Sequence, residues 1–370
     1  MNLAIIRWRM AASGGVERFI FDISKTLRER GVDVTLITEP FEPAEPFAGR
    51  IRELPPSHGG RARRFRRFQG AVRAALAGEG FSLVQSHERV LTADLYRAGD
   101  GVHAAWFDRL KRSRPWWRAA GMGFDPLHRQ YMETERRMAR ETEMIFVANS
   151  SLVARELKDW LDLPEGRIRL IENGVDLARF APPDAEARAA ARAACGLPPD
   201  GPVAAYVGSG FERKGAFHLI RALAAPGLRD LSLVIAGRDK AAREARALVE
   251  RLGLTDRVVL LGAVDDVRPV LHAADLFVLP TLYDPMPNAA LEALACGLPV
   301  VTTPDSGVAE AITETGAGAV ADREPEALAR AIAGVLADLA AARAGALALR
   351  PRYDLAGTAG KWLDLYREIA

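Results

Sequence analysis

The chain has 370 residues, of which 49% are hydrophobic and 26% are charged, and its formal net charge is +2. These values are typical of globular proteins and argue against a disordered chain or an integral membrane protein. The length exceeds that of one ordinary core, so two domains of similar size are expected. A net charge near zero predicts no polyanionic partner for the chain as a whole, and leaves only local patches to consider.

The cysteines and the N-terminus indicate the compartment. Cys195 and Cys296 are the only cysteines, and they form no metal-binding, redox or disulfide pattern, which favours a reducing cytosol. The apolar run at residues 1–10 is broken by Arg7 and Arg9 and is too short for a signal sequence. No uninterrupted apolar stretch approaches the roughly 18 residues that a membrane span needs. The sequence therefore predicts a cytoplasmic protein.

The first half of the chain alternates strand and helix patterns. An apolar strand precedes the turn Ser13-Gly14-Gly15, an amphipathic helix follows it, and a second strand completes a β-α-β unit, which implies a parallel sheet. Further strand patterns follow, the last one leading into a helix that a serine begins. The strands are predicted at 3–6, 34–38, 81–86 and 144–149, and the helices at 16–30 and from 150 or 151 to about 161.

The second half repeats this alternation beyond an Asn-Gly turn at 173–174, two prolines and an Ala/Arg-rich helix that ends near Cys195. We therefore predict a domain at 1–170, a second at 171–350, and a C-terminal segment, 351–370, whose helix packs on the first domain. The strands are predicted at 203–207, 231–236, 258–261, 276–279 and 299–302, and the helices at about 214–225, 240–252, 266–273, 288–296 and 355–369.

Two neighbouring strand ends carry the residues that indicate chemistry. The strand at 203–207 leads into Gly208-Ser209-Gly210-Phe211-Glu212-Arg213-Lys214-Gly215. Arg213 and Lys214 just before a helix start are suited to a diphosphate, although a solvated Arg-Lys pair is an equal alternative from spacing alone. After the strand at 276–279, Asp284 lies in a loop and Glu292 lies in the helix that begins near Asn288. Both acids are suited to accepting hydrogen bonds from sugar or ribose hydroxyls.

These motifs resemble those of the family 4 retaining glycosyltransferases of the GT-B fold, in which two Rossmann-like domains face each other across a cleft. The resemblance rests on the acidic pair, on the run from Ala293 to Val300, on Asn173-Gly174-Val175-Asp176 with Phe180, and on Gly208 with Arg213-Lys214-Gly215. It covers nearly the whole chain. Asp284 stands where the family more often has Glu, and Pro287 where Gly is common, which affects donor-sugar selectivity.

The resemblance implies a role for each matching residue. Arg213 and Lys214 would bind the donor phosphates, Glu292 the ribose, and Asp284 the transferred sugar together with amides after Asn288. Gly14 and Gly15 match the family's glycine loop, although Gly-Gly after a strand is by itself more often a simple turn. Asp100 and His103 match its acceptor side, although a lone His is more often structural. The full expected substrate site is Gly14, Gly15, Arg213, Lys214, Val264, Asp284, Asn288, Ala290, Leu291 and Glu292.

For this family the resemblance implies no metal, no cofactor and no obligate covalent nucleophile, because the leaving diphosphate assists the incoming hydroxyl. The expected catalytic residues are then Asp100, His103, Arg213, Lys214 and Asp284. No Asp-x-Asp motif lies near the expected donor site, which agrees with metal-independent transfer. Catalysis would rest on positioning and on charge stabilisation.

Two basic segments of the first half, 106–118 and 61–68, interleave arginines with aromatic residues. This composition is typical of contact with an anionic membrane surface, whereas solvated cations and core aromatics are the plain alternative. Nucleic acid is the poorer partner because no nucleic-acid motif accompanies the charge. Within the family, these features and Gly237-Arg238-Asp239-Lys240 resemble lipopolysaccharide-core glucosyltransferases. This implies a UDP-glucose donor, a phosphorylated membrane-anchored oligosaccharide acceptor, and a peripheral place on the inner face of the cytoplasmic membrane.

Other functions stay open at this point. A donor such as GDP-mannose or another UDP-sugar fits the same motifs, and so does a UDP-sugar epimerase. A phosphorylase would need a lysine-bound pyridoxal phosphate, for which no marker is present. A non-catalytic membrane-binding scaffold is a further alternative, against which the joint presence of Arg213, Lys214, Asp284 and Glu292 argues. A dehydrogenase is excluded because no Gly-x-Gly-x-x-Gly follows the first strand.

Overall fold

The computed structural model describes residues 1–10, 15–42, 46–122 and 124–370. The chain forms two compact units, of which the first comprises Met1–Gly174 together with Leu355–Ala370 and the second comprises Val175–Asp354. Each unit is a parallel sheet between helices, so the expected α/β architecture is confirmed. The chain leaves the first unit once and returns to it with its last helix.

The first unit contains a seven-stranded sheet in the order β3-β2-β1-β4-β5-β6-β7. The described pairings between its strands are all parallel. The strands are β1 (Asn2–Ile6), β2 (Asp33–Thr38), β3 (Arg50–Glu53), β4 (Leu83–Ser86), β5 (Leu95–Arg97), β6 (Ile145–Ala148) and β7 (Ile168–Leu170). Its helices are α1 (Gly15–Glu29), α2 (Arg61–Leu76), α3 (His103–Arg112), α4 (Trp116–Met122), α5 (Pro126–Glu141) and α6 (Ser151–Leu161).

Alternating side chains of β1 belong to two apolar cores, one on each face of this sheet. Leu3 and Ile5 join one apolar cluster and Ala4 and Ile6 join the other, as the two-residue period of a strand requires. Because both faces are covered, the strand reads as a continuous apolar run and not as an alternating one.

The C-terminal helix closes one of these cores. This helix, α16 (Leu355–Ile369), packs on α1. Trp362 and Tyr366 are almost fully buried in the cluster that contains Leu3, and the Tyr366 hydroxyl donates to Gln85 Oε1 at 2.6 Å. The prediction that the C-terminal helix packs back on the first domain is thereby confirmed.

The second unit contains a six-stranded sheet in the order β10-β9-β8-β11-β12-β13. Its strands are β8 (Val203–Val207), β9 (Ser232–Ala236), β10 (Val258–Gly262), β11 (Leu276–Leu279), β12 (Val300–Thr302) and β13 (Gly318–Val320). Its helices are α7 (Ala185–Ala194), α8 (Phe211–Lys214), α9 (Ala216–Ala222), α10 (Ala242–Arg251), α11 (Arg268–Ala273), α12 (Asn288–Ala295), α13 (Ala309–Thr315), α14 (Pro325–Ala337) and α15 (Leu339–Leu349). Short 3-10 turns lie at Pro226–Leu228 and Arg350–Tyr353 in this unit and at Glu165–Arg167 in the first unit.

One predicted helix of this unit is wrong in its details. The pattern at 214–225 predicts one helix, whereas the structure has a single-turn helix, α8, followed by α9. Gly215 separates them because its φ of 83° lies in the left-handed region, which ends a helix. Lys214 therefore lies at the end of one helix and not at the start of the next.

In the described part of the chain, no single helix has both the length and the apolar character to cross a membrane. The pair Pro325–Ala337 and Leu339–Tyr353, bent by 92°, passes the same test jointly on length and composition.

A buried carboxylate at the start of β11 ties several elements of the second unit together. Asp275 pairs with Arg188 at 2.7 Å, with Arg192 at 3.0 Å and with Arg343 at 2.8 Å, and accepts from the Val203 amide at 3.0 Å. Arg192 is only 5% exposed. Because a buried guanidinium is costly without its partner, this carboxylate holds α7, α15 and the first residue of β8 to β11.

We expect Asp275→Ala to lower the free energy of unfolding by about 3–5 kcal/mol, since it leaves Arg192 buried and without its carboxylate partner. Urea unfolding followed by tryptophan fluorescence and far-UV circular dichroism measures the loss. The matched control is Asp364→Ala, which removes an exposed partner of Arg367 and is expected to cost less than about 1 kcal/mol. Equal effects of the two substitutions would contradict the role given to Asp275.

Candidate active site

The candidate site of the second unit is built where β8 and β11 end. The two strands pair directly and in parallel, so their carboxyl ends lie at the same edge of the sheet, which is where open α/β sheets bind ligands. The short helix α8, which follows β8, carries Arg213 and Lys214, and the loop after β11 carries Asp284. The motifs identified in the sequence are therefore brought together by strand order.

Close backbone approach shapes the loop after β8. The Gly208 amide donates to the Ala236 carbonyl at 2.9 Å, which extends the pairing of β8 with β9. A Cβ on Gly237 would lie 2.2 Å from the Gly208 carbonyl oxygen, so only glycine permits this contact. The two loops after β8 and β9 are consequently held backbone to backbone.

Asp239 fixes the start of α8. Its Oδ2 accepts from the amides of Gly210 at 2.6 Å and Phe211 at 2.9 Å, and its Oδ1 accepts from the Ala241 amide at 2.8 Å. Burial acts to raise the pKa of this carboxyl, but the backbone hydrogen bonds outweigh it and the net shift is downward. Asp239 therefore stays ionised and caps the short helix that carries the two cations.

A three-residue charge cluster lies at the edge of the sheet. Lys214 Nζ is 3.2 Å from Asp284 Oδ2, and Arg213 Nη1 is 3.9 Å from the same oxygen. Arg213 Nη1 also donates to the Tyr283 carbonyl at 2.8 Å. The side chains of Lys214 and Asp284 are 17% and 12% exposed, whereas that of Arg213 is 41% exposed. Two cations share one carboxylate here, which leaves a local charge suited to an anionic ligand.

Hydrogen bonds to backbone carbonyls hold the loops around this cluster in place. The Leu282 amide donates to the Arg213 carbonyl at 2.7 Å, and Arg323 Nε donates to the Pro280 carbonyl at 3.0 Å. Thr303 Oγ1 donates to the Thr281 carbonyl at 2.7 Å. The loops after β8, β11 and β12 are thus cross-linked, so the ammonium of Lys214 is positioned before any ligand binds.

The helix α12 carries four further sequence-predicted residues of this unit. Asn288 is its first residue and Glu292 is its fifth, and both are half-buried and engaged in contacts. Ala290 and Leu291 are fully buried, and their amides donate to the Pro287 carbonyl at 3.0 and 3.2 Å. A ligand would therefore have to share these two amides with that carbonyl.

Val264 lies beyond the end of β10, half-buried against the core of the second unit. The described residues contain no group of three or more His, Cys, Asp or Glu side chains placed to hold a metal ion.

The sequence-predicted residues of the first unit differ in their placement. Gly14 lies outside the described residues, and Gly15 is the first residue of α1. Asp100 is exposed in the turn after β5. Asn149 Nδ2 donates to the Gly99 carbonyl of this turn at 3.1 Å. The position suits a carboxylate that meets a ligand at the sheet edge.

His103 lies in a packed aromatic cluster. The residue is 7% exposed, and its Nε2 is 3.0 Å from His128 Nδ1. Burial, with further contributions from Arg89 and His128, lowers the pKa of His103 to about 3, so the ring is neutral at physiological pH. Its amide lies 3.0 Å from both carboxylate oxygens of Glu135. These contacts give His103 a packing role, and its contact with a sugar or phosphate stays a prediction.

The two basic aromatic segments divide into core and surface. Phe65, Phe68 and Phe107 are buried, and the Arg109 side chain pairs with Glu156 at 2.8 Å. In contrast, Trp116 is 82% exposed and Trp117 is 57% exposed. Part of the aromatic content of 61–68 and 106–118 is thus ordinary core, and the exposed part lies at α4.

Sequence reasoning did not identify Asp239 and Arg323 as parts of this site. Asp239 had a signal, because an acid directly after strand β9 lies at the same sheet edge as Arg213. Arg323 had none, since it follows β13 at the far side of the sheet and reaches the site through two carbonyl groups.

Comparison with known proteins gives a consistent result. The glycosyltransferase family 4 model matches residues 13–179, and the glycosyl transferases group 1 model matches residues 201–338. The chain is 28% identical to a D-inositol 3-phosphate glycosyltransferase of Xylanimonas cellulosilytica, over 96% of this chain and 92% of that protein. It is also 28% identical to the lipopolysaccharide core biosynthesis glycosyltransferase LpsE of Rhizobium meliloti, over 91% and 89% of the two chains.

Among solved structures, the fold is similar to that of WaaG, a glycosyltransferase involved in lipopolysaccharide biosynthesis. The TM-score is 0.84 with 23% identity, covering 98% of this chain and 99% of that one. The two-unit architecture predicted from the sequence is therefore the architecture of GT-B enzymes.

Proposed function

The chain belongs to the family 4 glycosyltransferases, and we propose that it transfers a hexose, with glucose from UDP-glucose as the favoured donor, to a membrane-anchored glycolipid. The observation that carries the donor half is the cluster of Arg213, Lys214 and Asp284 at the end of β8 and β11. A nucleotide sugar combines an anionic diphosphate with neutral hydroxyls. The cluster offers cations for the first and a carboxylate for the second.

The cations would act most strongly on the leaving group. As the bond between the sugar C1 and the diphosphate oxygen breaks, negative charge grows on that oxygen, and a fixed ammonium and guanidinium stabilise it. Lys214 is the better placed of the two, because Asp284 and the loop contacts hold it in a partly buried position. Arg213 is more exposed and is suited to the outer phosphate oxygens.

The proposed reaction retains the configuration at C1 and uses no metal. An acceptor hydroxyl oxygen forms the new bond to C1 on the face that the diphosphate leaves, and its proton passes to the departing phosphate oxygen. No protein nucleophile is needed. Asp284 would accept from a hydroxyl of the transferred sugar, Glu292 from the ribose, and Asp100 from the acceptor.

The acceptor is proposed as a phosphorylated core oligosaccharide of lipopolysaccharide. The likeness to LpsE, named for lipopolysaccharide core biosynthesis, supports this choice. The likeness to D-inositol 3-phosphate glycosyltransferases favours a second candidate, a small soluble acceptor that carries a phosphate. Both acceptors present a phosphate beside hydroxyls, and transfer assays with each acceptor separate the two functions.

A peripheral place on the inner face of the cytoplasmic membrane completes the proposal. Trp116 and Phe124 are 82% and 81% exposed, and Lys111, Arg112 and Arg114 lie nearby in the chain. Exposed aromatic rings beside cations are suited to the headgroup layer of an anionic membrane. Phe124 adds to the segment 106–118 that the sequence indicated.

We expect calorimetry without metal to show binding of UDP and UDP-glucose in preference to GDP. Lys214→Ala removes the ammonium beside Asp284, so it should weaken UDP binding at least about tenfold and lower kcat by about 10²–10³-fold. Glu292→Ala should also weaken UDP binding, because it removes the proposed ribose contact. Lys361→Ala, at an exposed position of α16, is the matched control.

Preferred binding of GDP would replace UDP-glucose by a donor such as GDP-mannose. Full activity of a folded Lys214→Ala protein would contradict the site, and release of UDP without an acceptor, together with an isomerised sugar, would indicate an epimerase. A folded protein that binds no nucleotide with acceptor present would favour the scaffold.

We expect Trp116→Ser/Phe124→Ser to reduce binding to vesicles of phosphatidylcholine with phosphatidylglycerol, since two exposed rings lose their contact with the headgroup layer. Vesicle co-sedimentation measures the fraction bound. Trp160→Ser is the matched control, because Trp160 is a 45% exposed tryptophan on α6. If the wild-type protein, the double variant and Trp160→Ser bind the vesicles equally, the membrane contact lies elsewhere.

The geometry of Gly215 yields a further test of the donor site. Its φ of 83° is left-handed, and a Cβ here would lie 2.0 Å from the Pro280 carbonyl oxygen. Gly215→Ala should therefore displace the adjacent Lys214 and weaken UDP binding. The control Gly253→Ala also has a left-handed φ, 66°, but its Cβ would meet nothing within 4 Å. It should cost about 1–2 kcal/mol of stability and leave UDP affinity unchanged.

A further inference from the structure

A groove on the first unit, between α2 and α5, is lined by ten residues, of which four are arginines. Its volume is about 650 Å³, within the range of small-molecule sites. Phe65 and Met132 supply apolar surface, and Glu133 is the one carboxylate among the lining residues. The arginines that line it are Arg66, Arg129, Arg136 and Arg137.

Most of these guanidinium groups have no carboxylate partner in the described part of the chain. Arg137 pairs with Glu141 at 2.8 Å, whereas Arg66, Arg129 and Arg136 form no ion pair with any residue that the structure describes. Gln130 bridges the two helices when its side-chain amide is oriented to satisfy both neighbours: its nitrogen then donates to the Ala62 carbonyl at 2.9 Å and its oxygen accepts from Arg66 Nη1 at 3.1 Å. The cations thus lie on neighbouring helices that are linked to each other.

The helix α2 is unfavourable without a counter-charge. It contains six arginines and no acid, and four of them fall in residues 61–66 at its start. Gly60 supplies no side-chain cap. Cations at a helix N-terminus oppose the helix dipole, and the one ion pair that offsets them in the described structure joins Arg61 to Asp125 at 3.5 Å. If this face of α2 contacted only solvent, the arginines clustered at the helix N-terminus would not stabilise the helix.

We propose that the groove between α2 and α5 binds phosphate ester groups of an anionic ligand. Guanidinium groups bind phosphate through paired hydrogen bonds, and the groove offers them from both walls. A volume of about 650 Å³ is suited to a phosphorylated headgroup or a phosphorylated sugar. This inference extends the proposed function to the recognition of its membrane-borne substrate, but it uses no residue of the donor site.

The experiment compares two double variants that remove the same charge from the same two helices. Arg66→Gln/Arg136→Gln removes one arginine from each wall of the groove. Arg73→Gln/Arg140→Gln removes exposed arginines of α2 and α5 that do not line it. Circular dichroism and thermal unfolding establish that both variants fold, and UDP calorimetry is expected to be unchanged in both. If the proposed donor site is wrong, the calorimetry will show no UDP binding by the wild-type protein.

Two probes distinguish the source of the phosphate. One is a vesicle of phosphatidylcholine with phosphatidic acid, compared with phosphatidylserine at equal surface charge. The other is inorganic pyrophosphate, titrated with UDP present at saturation to block the donor site. We expect Arg66→Gln/Arg136→Gln to lower the affinity for at least one probe about tenfold more than Arg73→Gln/Arg140→Gln does.

A loss confined to phosphatidic acid vesicles assigns the phosphate to a lipid headgroup, and a loss for pyrophosphate assigns it to a soluble or glycan phosphate. Equal losses in the two variants would reduce the groove to general charge attraction and overturn the proposal. Wild-type protein that binds neither probe would also overturn it.

Discussion

The parallel pairing of β8 with β11 is the constraint on which the candidate site depends. The register joins Ala204 to Leu276 and Ala205 to Phe277, so both strands end at the same edge of the sheet. Arg213 and Asp284, about 70 residues apart in the chain, meet there for that reason. An antiparallel neighbour would place the second loop at the opposite edge. The chemistry of the site is therefore a consequence of sheet topology before it is a consequence of any single side chain.

The pairing alone would leave the loops free, and a second set of contacts fixes them. Asp239 caps the helix that carries Lys214, and Arg323 holds the backbone of both loops through carbonyl groups. Neither residue competes for the ammonium itself, since Asp239 binds amides and Arg323 binds carbonyls. Positions that are set in advance in this way lower the reorganisation that a charge-stabilising site needs during reaction.

Local patterns predicted most of the fold, and their limits are physical. The strands at 203–207 and 276–279 and the helix at 355–369 agree with the structure because apolar periodicity is a local property. The break at Gly215 was not predicted, since it depends on a contact with Pro280. His103 looked like a lone polar residue after a turn, whereas its aromatic neighbours include Tyr131 and His128 from α5. Such long-range neighbours leave no periodic signal.

The cations of this chain differ in how many of their hydrogen-bond donors are already engaged. That difference separates the cations that stabilise the fold from those that are suited to binding a ligand. Arg192 gives its five donors to the carbonyls of Ala273, Pro198, Pro199 and Gly201 and to Asp275, so no donor direction is left for a ligand. Lys214 is held by one carboxylate that it shares with Arg213. Buried cations with saturated donors stabilise the fold. Cations that are positioned but incompletely neutralised hold a charge that an anionic substrate can complete, and on this basis we propose the edge of the second sheet as the binding place of a diphosphate.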